Sequence, residues 1–185
     1  MTKITLPLAL EIMQTLHAGD DVLITGVIYT ARDAAHKRIT EMLVAGKKLP
    51  VALKGQLIYY CGPTPTKPGQ IIGACGPTTS GRMDKYTPRL LEDLGIKGMI
   101  GKGERSKEVK ESLVKNQAVY FSALGGLGAE YAKLVTACEC VAFEEMGPEA
   151  IYKLTVENFY AVVINDIFGG DHYTCLLYTS DAADE

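Results

Sequence analysis

Short β-branched apolar runs that stop at glycine, proline or a charged helical stretch constrain this chain more than any other feature. The clearest is 22–29, VLITGVIY, which reads as a buried strand and passes directly into a helical stretch over 31–45 that Gly46 ends. Further strands are expected over 56–60, 70–75, 98–100, 118–122, 135–143 and 160–164. Helices are expected over 8–17, 88–94, 106–115, 130–134 and 148–154, with Gly19 and Gly95 placed as stops. Strands interleaved with helices define an α/β fold in one layered domain. The runs at 57–60 and 71–75 follow one another with no helix between them, which points to a mixed sheet.

The 185 residues, 47% apolar and 22% charged, suffice for one domain with a real core. That domain is expected over 1–173. The segment 174–185, TCLLYTSDAADE, does not continue the pattern and reads as a non-native or poorly ordered tail. A net charge of −3 gives no global attraction to nucleic acid or to anionic membrane, so an anionic ligand needs a local cation cluster. No apolar run approaches the roughly 18 residues that a membrane span needs. Glu11 interrupts the apolar N-terminal stretch, which does not read as a secretory signal. Five cysteines without a CxxC pair suit a reducing cytoplasm and argue against a self-contained metal site. No glycine-rich nucleotide-binding motif lies between a strand and a helix.

Three segments carry candidate chemistry. Thr30-Ala31-Arg32-Asp33-Ala34-Ala35-His36 follows the first long strand, and Thr30 with Asp33 has the form of a capping box. Arg32 lies at a helix start, where a cation opposes the helix dipole unless an anion binds there. His36 and Asp33 share its face, although a capping aspartate and a structural histidine account for them equally. Gly76-Pro77-Thr78-Thr79-Ser80-Gly81-Arg82 places three hydroxyls and an arginine at the end of an apolar run, where α/β folds build sites. Taken alone, it also reads as an ordinary Ser/Thr-rich turn. Lys102 stands between two glycines after the run 98–100, and by default is a solvated turn lysine. The glycines at 125, 126 and 128 suit tight packing, and 62–66 suits a plain loop. Cys138 and Cys140 alternate on one strand and read as core or half-core thiols.

The motifs ARDAAHKR at 31–38, GPTTSGRMD at 76–84 and IGKG at 100–103 together resemble one family. Over about residues 1–168 the chain resembles the β subunit, or C-terminal domain, of iron–sulfur class I fumarate hydratases and L-tartrate dehydratases. The resemblance implies a swivelling β/β/α domain and a larger α subunit, in a hetero-oligomer such as α2β2. That partner would hold a [4Fe-4S] cluster through three cysteines, with no metal bound by this chain. The implied reaction is reversible hydration of a four-carbon dicarboxylate. Arg32, Arg82, Lys102 and Thr79 would then bind substrate. Thr78 would sit near the carbon that exchanges a proton, and His36 with Asp33 would support or share the transfer. A non-catalytic module that binds an anionic metabolite is the alternative reading. The family pattern breaks down after Asp166, ahead of the tail.

Overall fold

The computed structural model describes residues 1–174, so nearly all of the segment set apart as a tail, Cys175 included, lies outside the described residues. Seven strands form one mixed sheet: β1 (Thr2–Thr5), β2 (Asp21–Thr30), β3 (Leu57–Tyr59), β4 (Gly98–Gly101), β5 (Val119–Ser122), β6 (Val135–Ala142) and β7 (Ile151–Asn165). The helices are α1 (Leu10–Met13), α2 (Asp33–Val44), α3 (Thr87–Leu94), α4 (Lys107–Asn116) and α5 (Gly128–Lys133). Strands β1 to β5 are mutually parallel in the order β1-β2-β3-β4-β5, and β7 runs antiparallel to β2, β5 and β6. Because β7 pairs with both β2 and β5, the sheet folds back on itself.

The period-2 alternation of the strands sorts side chains into two cores. Leu57, Tyr59, Ile100, Phe121, Phe159 and Val163 point inward, where the two halves of the folded sheet face each other. Their neighbours Ile58, Tyr60, Met99 and Tyr120 point outward and pack under Ile39 of α2, Leu90 and Leu91 of α3, and Leu113 of α4. The result is two β layers and one helical layer, the expected β/β/α arrangement.

Two expected elements are absent and one was overlooked. Residues 70–75 form no strand. The facing segment holds Pro63, Pro65 and Pro68, which cannot donate to a ladder, and Thr64 N–H donates singly to the Ala74 carbonyl at 3.0 Å. The expected helix at 148–154 does not form: a 3-10 helix over Glu144–Glu149 ends there, and β7 begins at Ile151 with its first half held between β2 and β6. Pairing on both sides overrides any local helical propensity from Ile151 onward. Strand β1 buries only Ile4 and pairs only with β2, which leaves little periodic signal in the sequence. The expected helix at 8–17 contracts to α1 followed by turns.

Candidate functional site

Strands β2, β3, β4 and β5 all deliver their carboxyl ends to the same edge of the sheet, where α/β folds place ligands. Arg32 leaves the end of β2, Lys102 the end of β4, and the 125–126 turn follows β5. The segment 76–82 has no strand of its own. Thr78 N–H donates to the Tyr60 carbonyl at 2.7 Å just past β3, and Thr79 forms an isolated parallel bridge with Lys102. The three sequence motifs therefore meet.

Asp33 ties the arginines together. Its Oδ2 lies 3.6 Å from Arg32 Nε and 3.2 Å from Arg82 Nη2, and the same Arg82 nitrogen donates to Thr78 Oγ1 at 2.9 Å. Arg32 Nη2 is 3.3 Å from Glu149 Oε1, while Glu149 Oε2 accepts from Ala34 N–H at 2.7 Å. Glu149 thus supplies the N-terminal cap of α2 from 115 residues away, and Asp33 pairs with the arginines instead of capping. Thr30 does not complete a capping box either. It ends β2, accepts from Tyr152 N–H at 3.0 Å and so fastens β2 to β7.

Gly62, read as part of a plain loop, is in close contact with Arg32. A β-carbon there would stand 2.8 Å from Nη1 and 3.1 Å from the Pro148 carbonyl, so the guanidinium slot requires glycine. Arg32 Nε is buried with no hydrogen-bond partner among the described residues. Its ion-pair partner is Asp33 Oδ2 at 3.6 Å, just beyond hydrogen-bond length. Arg82, Thr79 and Lys102 are exposed, and Thr78 is half-buried. Lys102 lies over Gly125, where an added β-carbon would meet its Nζ at 3.8 Å. Gly128 packs on Gly76, the role expected for it, whereas Gly126, at φ +81°, has nothing within 4 Å of an added β-carbon.

His36 is 0% exposed. Its Nδ1 lies 2.9 Å from the Arg32 carbonyl, and because a carbonyl only accepts, Nδ1 carries the proton. Nε2 makes no hydrogen bond among the described residues, and the ring packs against those of Tyr60 and Tyr86, 5.3 and 6.0 Å away between centroids. Burial pushes the imidazole down to about 4, against the raising effect of the Arg32 carbonyl. The ring is therefore neutral near pH 7, bonded to the Arg32 backbone. An unfolded chain takes up a proton on His36 below its ordinary value of 6.5 while the folded chain does not. Stability is thus complete above that value and declines as pH falls toward 4, with about 2 kcal/mol gone at pH 5. Between pH 7 and pH 5 the native chain should lose more of its thermal midpoint than His36→Gln, and equal losses would contradict this assignment.

Among the described residues, no group of three His, Cys, Asp or Glu side chains is placed to hold a metal ion. Cys61 and Cys75 are buried, Cys138 is half-buried against the inner core and Cys140 is exposed on β6. Cys140 thus departs from the core position expected for it. A bulge between Cys140 and Ala142 breaks the pairing there. The described cysteines do not fit a cluster-binding set.

The folded mixed sheet thus gathers Arg32, Arg82 and Lys102 at its parallel carboxyl ends. Residues 2–176 match the family described as Fumarase C-terminus, and the chain belongs to that family. It is 41% identical over 151 residues to the anaerobic class I fumarate hydratase of Escherichia coli K12, a match covering 81% of this chain and 28% of that protein. Fumarate hydratase 2 of Leishmania major is 40% identical over 157 residues, which is 84% of this chain and 28% of that protein. A Methanocaldococcus jannaschii chain provisionally named L(+)-tartrate dehydratase subunit beta is 37% identical over 156 residues. That match covers 82% of this chain and 80% of that protein. The chain therefore spans under a third of the fumarate hydratases it matches, and most of a chain named as a subunit.

Proposed function

We propose that this chain is the β subunit of a hydro-lyase that hydrates and dehydrates a four-carbon dicarboxylate, fumarate to malate or tartrate to oxaloacetate. The observation that carries the reading is the Asp33 carboxylate lying between Arg32 and Arg82, ion-paired with both, while the Arg32 Nε it faces makes no hydrogen bond among the described residues. A site that already engages carboxylates through paired guanidiniums suits a substrate that carries two of them. The relatives named for fumarate and tartrate chemistry support the same class.

In this reading Arg32, Arg82 and Lys102 bind the substrate carboxylates, with Thr79 at the rim. The guanidinium charge of Arg32 and Arg82 stabilises the charge that builds on the carboxylate when the neighbouring carbon loses its proton, while Lys102 holds the substrate alike in ground and transition state. Thr78, held by Arg82 Nη2, would sit near that carbon as the candidate to take its proton, which its hydroxyl can do only once deprotonated. Asp33 sets the spacing of the two guanidiniums. His36 acts through Arg32, as the neutral donor that pins the Arg32 carbonyl. The [4Fe-4S] cluster belongs to a partner α subunit in a cytoplasmic hetero-oligomer such as α2β2.

The test is turnover of fumarate, malate and L-tartrate by this chain assembled with its cluster-bearing partner. Arg82→Ala should lower kcat/KM about 100-fold, since it removes a charged hydrogen bond to substrate and frees Thr78. Tight dicarboxylate binding by this chain alone, with no turnover in any complex, would leave only the metabolite-binding module.

A further inference from the structure

Lys102 projects from an exposed turn, yet the backbone beneath it is held by groups that no part of the reaction uses. Ser80 is 0% exposed. Its backbone N–H donates to the Lys102 carbonyl at 2.9 Å, and its Oγ lies 3.1 Å from Lys102 N–H. Ser80 Oγ is also 2.8 Å from Tyr120 Oη, and Tyr120 Oη donates to the Gly103 carbonyl at 2.7 Å. Only one arrangement of protons satisfies all four groups. The Gly103 carbonyl only accepts, so Tyr120 donates to it; Ser80 must then donate to Tyr120, and Lys102 N–H donates to Ser80. The chain of bonds begins and ends on the Lys102–Gly103 backbone and closes a loop around it.

Ser80 also belongs to the segment that carries Thr78, Thr79 and Arg82, so the same loop joins the two cation-bearing turns. The fit is tight. A β-carbon on Gly101 would collide with Ser80 Oγ and stand 2.9 Å from Tyr60, so this close approach requires glycine. Tyr120 comes from β5 and is itself fully buried, which anchors the loop in the sheet.

We propose that Ser80 and Tyr120 are positioning residues, a buried hydroxyl clasp that sets the place of Lys102 relative to Thr78 and Arg82. The proposal rests on the reading of Lys102 as a carboxylate ligand, and the experiment separates the two. In the assembled enzyme, Tyr120→Phe keeps the ring that fills the core and removes only the hydroxyl. It should raise KM about tenfold while kcat changes less than about threefold, the signature of lost uniform binding. Ser80→Ala should do the same. The double variant should be no worse than the worse single one, because both break one chain of bonds. A purely structural role would instead lower the thermal midpoint and the amount of active enzyme and leave KM unmoved. Unchanged KM in Tyr120→Phe beside a raised KM in Lys102→Ala overturns the clasp and leaves the ligand reading intact. Unchanged KM in Lys102→Ala removes both. If Ser80→Ala does not assemble, Tyr120→Phe and Lys102→Ala still decide the matter.

Discussion

Replacing Arg105 by methionine is expected to cost about 3–5 kcal/mol of stability, the range for breaking a buried ion pair from one side. Arg105 is 2% exposed, and its Nε meets Asp84 Oδ1 at 2.7 Å. Its Nη2 donates to Thr87 Oγ1 at 2.8 Å and to Tyr60 Oη at 3.3 Å, and its guanidinium lies 4.8 Å from the Tyr120 ring centroid. Methionine keeps the stem volume and removes the charge. Asp84, whose Oδ2 also accepts from Ser106 N–H at 2.6 Å, would keep a nearly buried carboxylate without its cation. For a domain of this size such a loss lowers the thermal midpoint by roughly 10 °C or more, which calorimetry would read directly. A midpoint within about 2 °C of the parent would mean that the pair contributes little beyond surface strength.

Arg32→Ala is expected to lower kcat/KM of the assembled enzyme by about 100- to 1000-fold, the worth of one or two charged hydrogen bonds to a carboxylate. The slot formed by Gly62 and Pro148 holds a planar group, and Glu149 orients it through Nη2. Arg32→Lys should recover little, because an ammonium cannot reproduce the fork geometry. Steady-state kinetics of both variants, with melting curves as a check on folding, decide the point. Full activity in Arg32→Lys would argue that charge alone matters there.

The strands, the helix at Arg32 and the three cation-bearing motifs were legible because each is local. Apolar alternation, glycine stops and a motif's spacing all lie within a dozen residues. Of the elements that differ, 148–154 gives way to a strand whose partners in β2 and β6 lie elsewhere in the chain, and 70–75 faces a proline-rich segment that cannot complete a ladder. Glu149 gave no sequence signal, since its partner Ala34 is 115 residues away and its own segment looked helical. Arg105 sits in the charged run Lys102-Gly103-Glu104-Arg105-Ser106, which by composition belongs on the surface. Its burial follows from the packing of Tyr60, Asp84 and Thr87 around it. His36 shared a helical face with Arg32 on spacing alone, and only the position of Tyr60 and Tyr86 revealed that this face is sealed.

By itself, the sequence determined the apolar runs that become strands, the class of the fold, and the arginine, lysine and threonine side chains available to meet a carboxylate. The tertiary structure alone decided that those side chains share one edge of the sheet, which carboxylates hold them apart, and which hydroxyls fasten their turns. Periodicity records the burial of a residue's own element. The meeting of distant turns depends on strand order and on β7 pairing with both β2 and β5, and no local pattern encodes that pairing.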